Sequence, residues 1–128
     1  MRAPIAGYPV LRNRIAHPID IWLEDGARLP VNPEWRVIYT PGHVEDSICF
    51  YHESSEVLLS GDTIINITGR GELNPFNSDQ EAIFRSFEKL KELKVSNLYP
   101  GHGRFLEKDN LWEGVLKLSM NEMRRSEY

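Results

Sequence analysis

The chain has 128 residues, of which 41% are hydrophobic and 27% are charged, and its formal net charge at pH 7 is −4. This length predicts one domain with the composition of a globular protein. Nucleic acid is not an expected partner, because the neutralisation of phosphates needs clustered Lys and Arg, which this acidic chain lacks. No apolar run approaches the roughly 20 residues of a membrane span, and no apolar signal segment is evident at the N-terminus. The single cysteine, Cys49, excludes an internal disulfide and makes the cytoplasm the expected compartment.

Prolines and a glycine interrupt residues 1–18, whose apolar positions follow neither a helical nor a strand period. We therefore expect an irregular N-terminal segment. From Ile19 onward, short runs rich in β-branched and aromatic residues predict strands separated by turn residues. Four such runs come first, and the last two are close enough in sequence to form an antiparallel hairpin: IDIWL (19–23), WRVIYT (35–40), SICFYH (47–52) and EVLLSG (56–61).

The strongest helix signal begins at Ser78, which forms a capping box with Glu81. Behind it, apolar residues recur at helical spacing and predict one buried face. This stripe comprises Ile83, Phe84, Phe87, Leu90 and Leu93. A further short strand, VSNLYP (95–100), follows this helix, and Asp109 is the expected N-cap of a terminal helix. Strands mixed with helices predict a single α/β domain over residues 1–128.

Two histidines and one aspartate follow strand segments at glycine turns. His43 and His102 each come directly after a Pro-Gly pair, and Asp62 comes after a Ser-Gly pair. Loops at the ends of strands are where α/β sheets usually bind ligands, and glycine lets the backbone pass close to a bound group. Imidazole and carboxylate are the usual ligands of zinc, iron or manganese. Each residue alone is better explained as a loop cap or a partner of backbone amides, but the pattern that all three share makes them a candidate metal set.

Four segments, in this order, carry a resemblance to a known family: TPGH, DSICFY, LLSGDT and LYPGHG. As a set they are similar to the later motifs of the metallo-β-lactamase superfamily, and most similar to its small-molecule hydrolase branch that contains glyoxalase II. The resemblance implies that His43 binds one metal ion, that His102 binds a second, and that Asp62 bridges the two and is catalytic. It further implies that hydroxide on these ions attacks an ester, thioester or amide carbonyl.

The first motif of the family, H-x-H-x-D-H, supplies four further ligands and has no counterpart in this sequence. The remaining histidines do not replace it, and we expect His17 in a loop and His52 at the surface. The family fold is an αβ/βα sandwich of two similar halves, and the chain resembles the C-terminal half from Ile19 onward, as one mixed sheet with helices on one face. Two hypotheses remain open. The chain is either a metal-dependent hydrolase that needs a partner half, or a catalytically inactive half-domain that serves as a structural or interaction module.

One face of such a sheet must be covered, and none of the elements predicted from this sequence would cover it. Apolar residues occupy both faces of the run SICFY, with Ile48 and Phe50 on one and Cys49 and Tyr51 on the other. Because one helix covers only one face, we expect a homodimer through the other, or a separate polypeptide that supplies the N-terminal half. Cys49 is expected to be a core residue rather than a reactive thiol.

Overall fold

The computed structural model describes residues 2–4, 9–10, 14–15, 19, 21–67, 69–107, 111–112 and 114–115. Within these residues the chain forms short strands and one well-defined helix, α1 (Gln80–Leu90). The strands are β1 (Arg2–Pro4), β2 (Pro9–Val10), β3 (Arg14–Ile15), β4 (Trp22–Glu24), β5 (Trp35–Tyr39), β6 (Ile48–His52), β7 (Val57–Gly61), β8 (Ile64–Ile65), β9 (Glu72–Leu73), β10 (Asn97–Pro100) and β11 (Leu106–Glu107).

A mixed sheet of five strands forms the centre of the domain, in the order β11-β10-β7-β6-β5. β5, β6 and β7 are joined by antiparallel pairing, which confirms the predicted hairpin. β10 pairs with β7 in parallel, and such pairing needs a long crossover connection, in which α1 lies. The predicted α/β class is confirmed, since a mixed sheet of five strands packs against a helix.

Helix α1 begins one residue later than its sequence signal suggests. Its N-cap is Asp79, whose side chain accepts a hydrogen bond from the Ala82 amide at 3.0 Å. The prediction of Ser78 as the cap is wrong, because the Ser78 hydroxyl donates to the Gly42 carbonyl at 3.2 Å and is not turned toward the helix. Asp79 fulfils the same electrostatic role, since a carboxylate at the N-terminus also favours the helix dipole.

The core lies between α1 and one face of the central sheet. The helix contributes Ile83, Phe87 and Leu90, each no more than 1% exposed. From the sheet, the side chains in this cluster are those of Ile38, Cys49, Tyr51, Leu58 and Leu98. Burial of a large apolar side chain contributes roughly 1.5–3 kcal/mol, so this layer fixes the helix on the sheet. The predicted apolar stripe is thereby confirmed for these three residues, whereas Phe84 and Leu93 are partly buried against the same cluster and Leu93 lies beyond the end of α1.

The ends of the chain differ from the sequence prediction. Three short strands lie within residues 1–18, where no element is predicted, and β1 pairs antiparallel with β4. Strands of two or three residues are too short to show a visible alternation in the sequence. The predicted terminal helix is described only at residues 111–112 and 114–115, which are helical, and its expected cap at Asp109 lies outside the described residues. Within the described part of the chain, no helix is long and apolar enough to cross a membrane.

The face of the sheet that points away from α1 carries a continuous apolar row. Val37, Phe50, Leu59 and Tyr99 are register partners across neighbouring strands. Strand alternation places them opposite the core residues. Val37 is fully buried, Phe50 and Leu59 are half-buried, and Tyr99 is 45% exposed. An antiparallel face left in water should instead be polar.

We therefore expect the purified chain to form a dimer through this face, as measured by light scattering at micromolar concentration. The variant Tyr99→Glu is expected to be monomeric, because an ionised carboxylate is costly to bury in the contact. Val31→Glu is the matched control, since that position is 93% exposed and lies in a loop. A wild-type chain that remains a single monodisperse monomer would contradict this prediction.

Candidate metal centre

The strands that precede the three candidate ligands run in the same direction. β5 and β7 are each antiparallel to β6, and β10 is parallel to β7. Their carboxyl ends therefore meet at one edge of the sheet. His43 follows β5, Asp62 follows β7 and His102 follows β10, so the topology alone brings these residues to the same edge.

At this edge the structure places Asp62 between the two histidines. His102 Nδ1 lies 2.8 Å from Asp62 Oδ1, and His43 Nε2 lies 3.9 Å from Asp62 Oδ2. Each carboxylate oxygen thus faces a different imidazole. The side chains are 26% exposed for His43, 41% for Asp62 and 67% for His102, so the cluster opens to solvent on the His102 side.

Two concave regions adjoin the cluster. The smaller, of about 210 Å³, is lined by the three candidate ligands together with Ile65, Ile67, Asn74 and Phe76. Phe76 and Ile67 are 74% and 65% exposed and form an apolar rim. A larger open groove of about 610 Å³ also borders His102 and Ile67 and is lined in part by Arg104. There is space beside the cluster for a small molecule.

The loop that carries His43 is held by the start of α1. The Gly42 carbonyl accepts hydrogen bonds from the Ser78 amide at 2.9 Å and the Asp79 amide at 3.1 Å. Gly42 has a φ of +148°, and a Cβ at this position would overlap the backbone and side chain of Ile83. The close neighbour that makes glycine necessary here is therefore the protein's own helix.

A buried hydroxyl network joins the bases of the two loops that carry His43 and Asp62. The Oγ1 atoms of Thr40 and Thr63 are 3.0 Å apart, and Thr40 Oγ1 is 3.4 Å from Cys49 Sγ. Both threonines are fully buried. Thr63 follows Asp62 directly and its amide donates to the Ser60 carbonyl at 3.0 Å, which closes the tight turn after β7. The threonines in the sequence motifs thus position the loops and do not face the cleft.

The His102 loop is attached to the segment after β8. The Asn66 amide donates to the His102 carbonyl at 3.0 Å, and the Asn66 side chain donates to the Arg104 carbonyl at 2.9 Å. Asn66 is 5% exposed. These two bonds clamp the backbone on both sides of Gly103 and fix the direction in which His102 leaves the sheet.

Two residues that sequence analysis missed contact His43. The Phe76 carbonyl lies 2.5 Å from His43 Nδ1, and Asn74 Nδ2 lies 3.1 Å from the same atom. Asn74 also donates to the Asp62 carbonyl at 2.9 Å. Only the Asn74-Pro75 pair, a common turn signal, marks this segment in the sequence. Nothing in that signal indicates which side chain the turn would reach.

The donor types of the cluster fit a metal ion, but their number does not complete a site. Zinc bonds of about 2.0–2.2 Å place two ligands of one tetrahedral ion about 3.3–3.6 Å apart, and the two observed separations lie on either side of that range. Within the part of the chain that the structure describes, no three His, Cys, Asp or Glu side chains are arranged to hold one ion. The two histidines face different oxygens of Asp62.

The other residues considered from the sequence lie elsewhere. His52 ends β6, which is antiparallel to its neighbours, and therefore sits at the opposite edge of the sheet. It is not the surface residue that we expect from the sequence: its side chain is only 14% exposed and contacts Glu34 Oε2 at 2.9 Å. Cys49 is fully buried, which confirms its predicted core position. His17 lies outside the described residues.

Comparison with known proteins gives the family. Residues 3–102 match the model of the Metallo-beta-lactamase superfamily. The chain belongs to this superfamily. The match begins well before Ile19, so the resemblance seen in the sequence extends into the N-terminal segment.

Individual relatives agree with this assignment. A hydroxyacylglutathione hydrolase from Francisella tularensis subsp. novicida (strain U112) is 33% identical over 101 residues, which are 77% of this chain and 39% of the relative. The metallo-beta-lactamase family protein TTHA1429 from Thermus thermophilus is 26% identical with a TM-score of 0.67, over 90% of this chain and 38% of that one. The protein TTHA1623, solved in a di-iron-bound form, is 30% identical with a TM-score of 0.55, over 71% of this chain and 44% of that one. The predicted likeness to glyoxalase II is confirmed, and the chain spans less than half the length of these proteins.

The packing of α1 on Gly42 predicts a large effect of one methyl group. Gly42→Ala is expected to lower the free energy of unfolding by about 3 kcal/mol, because the new Cβ meets the helix backbone and the φ angle suits only glycine. Gly26→Ala is the control: its φ is also positive, at +82°, but nothing lies within 4 Å of the added atom. That variant should lose only about 1 kcal/mol from backbone strain. Equal losses in urea denaturation would refute the packing argument.

Burial raises the pKa of the Cys49 thiol to about 11, although hydrogen bonds from Thr40 and Thr63 oppose the shift. We expect a thiol reagent at pH 8 to modify the folded chain at least about a hundredfold more slowly than the chain unfolded in urea, since the thiolate is the reactive form. A folded-state rate close to that of the unfolded chain would contradict the burial.

The raised pKa of the Cys49 thiol also makes the stability of the fold depend on pH. The folded-state pKa lies above the ordinary value of 9.0, so the neutral thiol contributes stability that is complete below pH 9 and is lost as the pH rises toward 11. The variant Cys49→Ala lacks the thiol but keeps every tyrosine, and tyrosines also titrate in this pH range. The difference between the two proteins in the pH dependence of the free energy of unfolding therefore measures the contribution of the thiol alone.

Proposed function

We propose that the chain is part of a metal-dependent hydrolase that cleaves an ester, thioester or amide bond in a small molecule. The observation that carries this proposal is the position of Asp62, with one histidine at each of its two carboxylate oxygens. Membership of the superfamily supports the reaction class, and the hydroxyacylglutathione hydrolase relative favours a thioester. The cytoplasm remains the proposed compartment.

Each of the three residues has a distinct role in this proposal. His43 and His102 would each hold one ion, and Asp62 would be the shared ligand. Two bound zinc, iron or manganese ions would supply Lewis acidity and would lower the pKa of bound water. The adjoining cleft would orient the substrate, with Phe76 and Ile67 in contact with its apolar part.

A partner half is required by this proposal. Zinc centres normally use at least three protein ligands for each ion. One histidine and a shared carboxylate give each ion only two. The remaining donors would come from a separate polypeptide that supplies the other half of the sandwich, or from a second copy of this chain packed across the apolar face.

The second candidate function is a non-catalytic one, as a structural or interaction module. It is favoured by the absence of any complete metal-binding group among the described residues. In this role the histidine and aspartate would remain as loop contacts, since His102 and Asp62 already bond to each other. Metal binding separates the two candidates.

For the chain alone, we expect weak binding of zinc or manganese by titration calorimetry and slow hydrolysis of a hydroxyacylglutathione thioester. Asp62→Ala should abolish the residual metal binding altogether, because both histidines lose their common partner. His52→Ala is the matched control: it removes a histidine from the opposite edge of the sheet and should leave metal binding unchanged.

The two results that would overturn this account differ in meaning. Tight binding of two equivalents by the isolated chain, with rapid thioester cleavage, would show that no partner half is needed. Metal binding that is equal in wild type and Asp62→Ala would favour the non-catalytic module.

A further inference from the structure

Asn74 makes more contacts to the cluster than any role in a turn requires. It is only 5% exposed. Its Oδ1 accepts from the Phe76 amide at 3.0 Å, and its Nδ2 donates to the Asp62 carbonyl at 2.9 Å. Its own carbonyl accepts from Asn77 Nδ2 at 2.9 Å. The side chain therefore links the segment after β9 to the turn that carries Asp62.

These contacts leave one orientation for the Asn74 amide. The Phe76 N–H is only a donor and the Asp62 carbonyl is only an acceptor. If the amide were turned by 180°, it would place a donor against the donor and an oxygen against the oxygen. Both hydrogen bonds would be lost in a nearly fully buried position, which costs roughly 1–3 kcal/mol for each unsatisfied group. The assignment of Oδ1 and Nδ2 thus follows from the surroundings.

The Phe76 carbonyl indicates which nitrogen of His43 carries the proton, because a carbonyl oxygen can only accept a hydrogen bond. Nδ1 lies 2.5 Å from the Phe76 carbonyl oxygen, a separation that needs a proton between the two atoms. Asn74 Nδ2, at 3.1 Å, then packs beside Nδ1 without donating to it. With the proton on Nδ1, the lone pair of Nε2 faces Asp62 Oδ2 across 3.9 Å.

We propose that Asn74 is a positioning residue, which holds Phe76 and Asp62 together so that the Phe76 carbonyl keeps the His43 proton on Nδ1 and leaves Nε2 free on the side of Asp62. The proposal about the tautomer stands on these contacts alone. Its importance for a metal ion rests on the proposed function, because a ligating histidine usually donates its other N–H to a carbonyl or carboxylate.

The direct test is the tautomer of His43 in the metal-free chain. Two-bond proton–nitrogen correlation spectra of the ¹⁵N-labelled protein distinguish the two neutral forms at a pH where the ring is uncharged. In the wild type we expect His43 to be protonated almost only on Nδ1. In Asn74→Ala we expect a mixture of both tautomers, because the Phe76 segment is no longer tied to Asp62.

Two further variants control for a general loosening of the loop. Asn77→Ala removes a hydrogen bond from the same segment without contact to His43 or Asp62, and should keep the wild-type tautomer. Asn74→Asp retains the acceptor for the Phe76 amide and places a carboxylate oxygen where Nδ2 lies 3.1 Å from His43 Nδ1, so it should keep the proton on Nδ1. A merely structural role of Asn74 predicts the same tautomer in all four proteins whenever they are folded.

The outcomes are decisive even if Asn74→Ala fails to fold. A wild-type His43 that carries its proton on Nε2, or on both nitrogens equally, overturns the proposal without any variant. An unchanged tautomer ratio in folded Asn74→Ala, or a proton mainly on Nε2 in folded Asn74→Asp, overturns it as well.

Measurements of cobalt binding test the role of Asn74 separately from the proposed function. We expect the cobalt dissociation constant of Asn74→Ala to exceed that of Asn77→Ala by about tenfold, the lower end of the effects seen for such supporting residues. No cobalt binding by the wild type, combined with the expected tautomers, would contradict the hydrolase proposal and leave the role of Asn74 intact. Equal cobalt affinities in the two variants would contradict the link from Asn74 to the metal.

Discussion

The contact between Gly42 and the first turn of α1 is the constraint on which the site depends. The amides of Ser78 and Asp79, just before α1, both donate hydrogen bonds to the Gly42 carbonyl, and Ile83 occupies the space that a side chain at Gly42 would need. The helix is in turn fixed to the sheet by Phe87 and Leu90, which are completely buried. The position of His43 is therefore set by the hydrophobic core, through a helix that the cleft itself does not touch. His43 lies in a loop, but it is therefore positioned as precisely as a residue on a helix or strand.

Strand direction provides the second part of the arrangement. Because β5, β7 and β10 point the same way, their following loops share one edge, and the chain needs no special contact to bring the three side chains near each other. The finer placement comes from buried polar groups. The Thr40 and Thr63 hydroxyls join two of the loops from below, and Asn74 ties the Asp62 turn to the Phe76 segment on the side of the cleft. Buried groups of this kind have few alternative partners, so they select one geometry where apolar packing would allow several.

The predictable parts of this structure are those in which one residue type suits one local geometry. The alternation of β5 to β7, the apolar stripe of α1 and the glycine turns before His43 and His102 are of this kind, and the motifs identified the family. The cap of α1 was misplaced because Ser78 and Asp79 are both good caps, and a long-range bond from Ser78 to Gly42 decides between them. Asn74 was missed for the same reason: its partners come from three separate segments. Sequence spacing carries no information on such contacts, and two-residue strands such as β8 and β9 are too short to show a period.

The exposure of the cluster indicates from which direction the site would be completed. His43 is enclosed by Asn74 and Phe76, whereas His102 is 67% exposed and opens toward the larger groove. Further donors cannot approach from below, where Thr40, Thr63 and the core fill the space. Under the proposed function they would approach from the open side, between the rim residue Phe76 and His102. The apolar row of Val37, Phe50, Leu59 and Tyr99 lies on the sheet face opposite α1, and Tyr99 belongs to the strand that His102 follows. A partner half seated on that face would reach the same edge of the sheet, so that the same contact would both cover the accessible part of the row, at Phe50, Leu59 and Tyr99, and supply ligands.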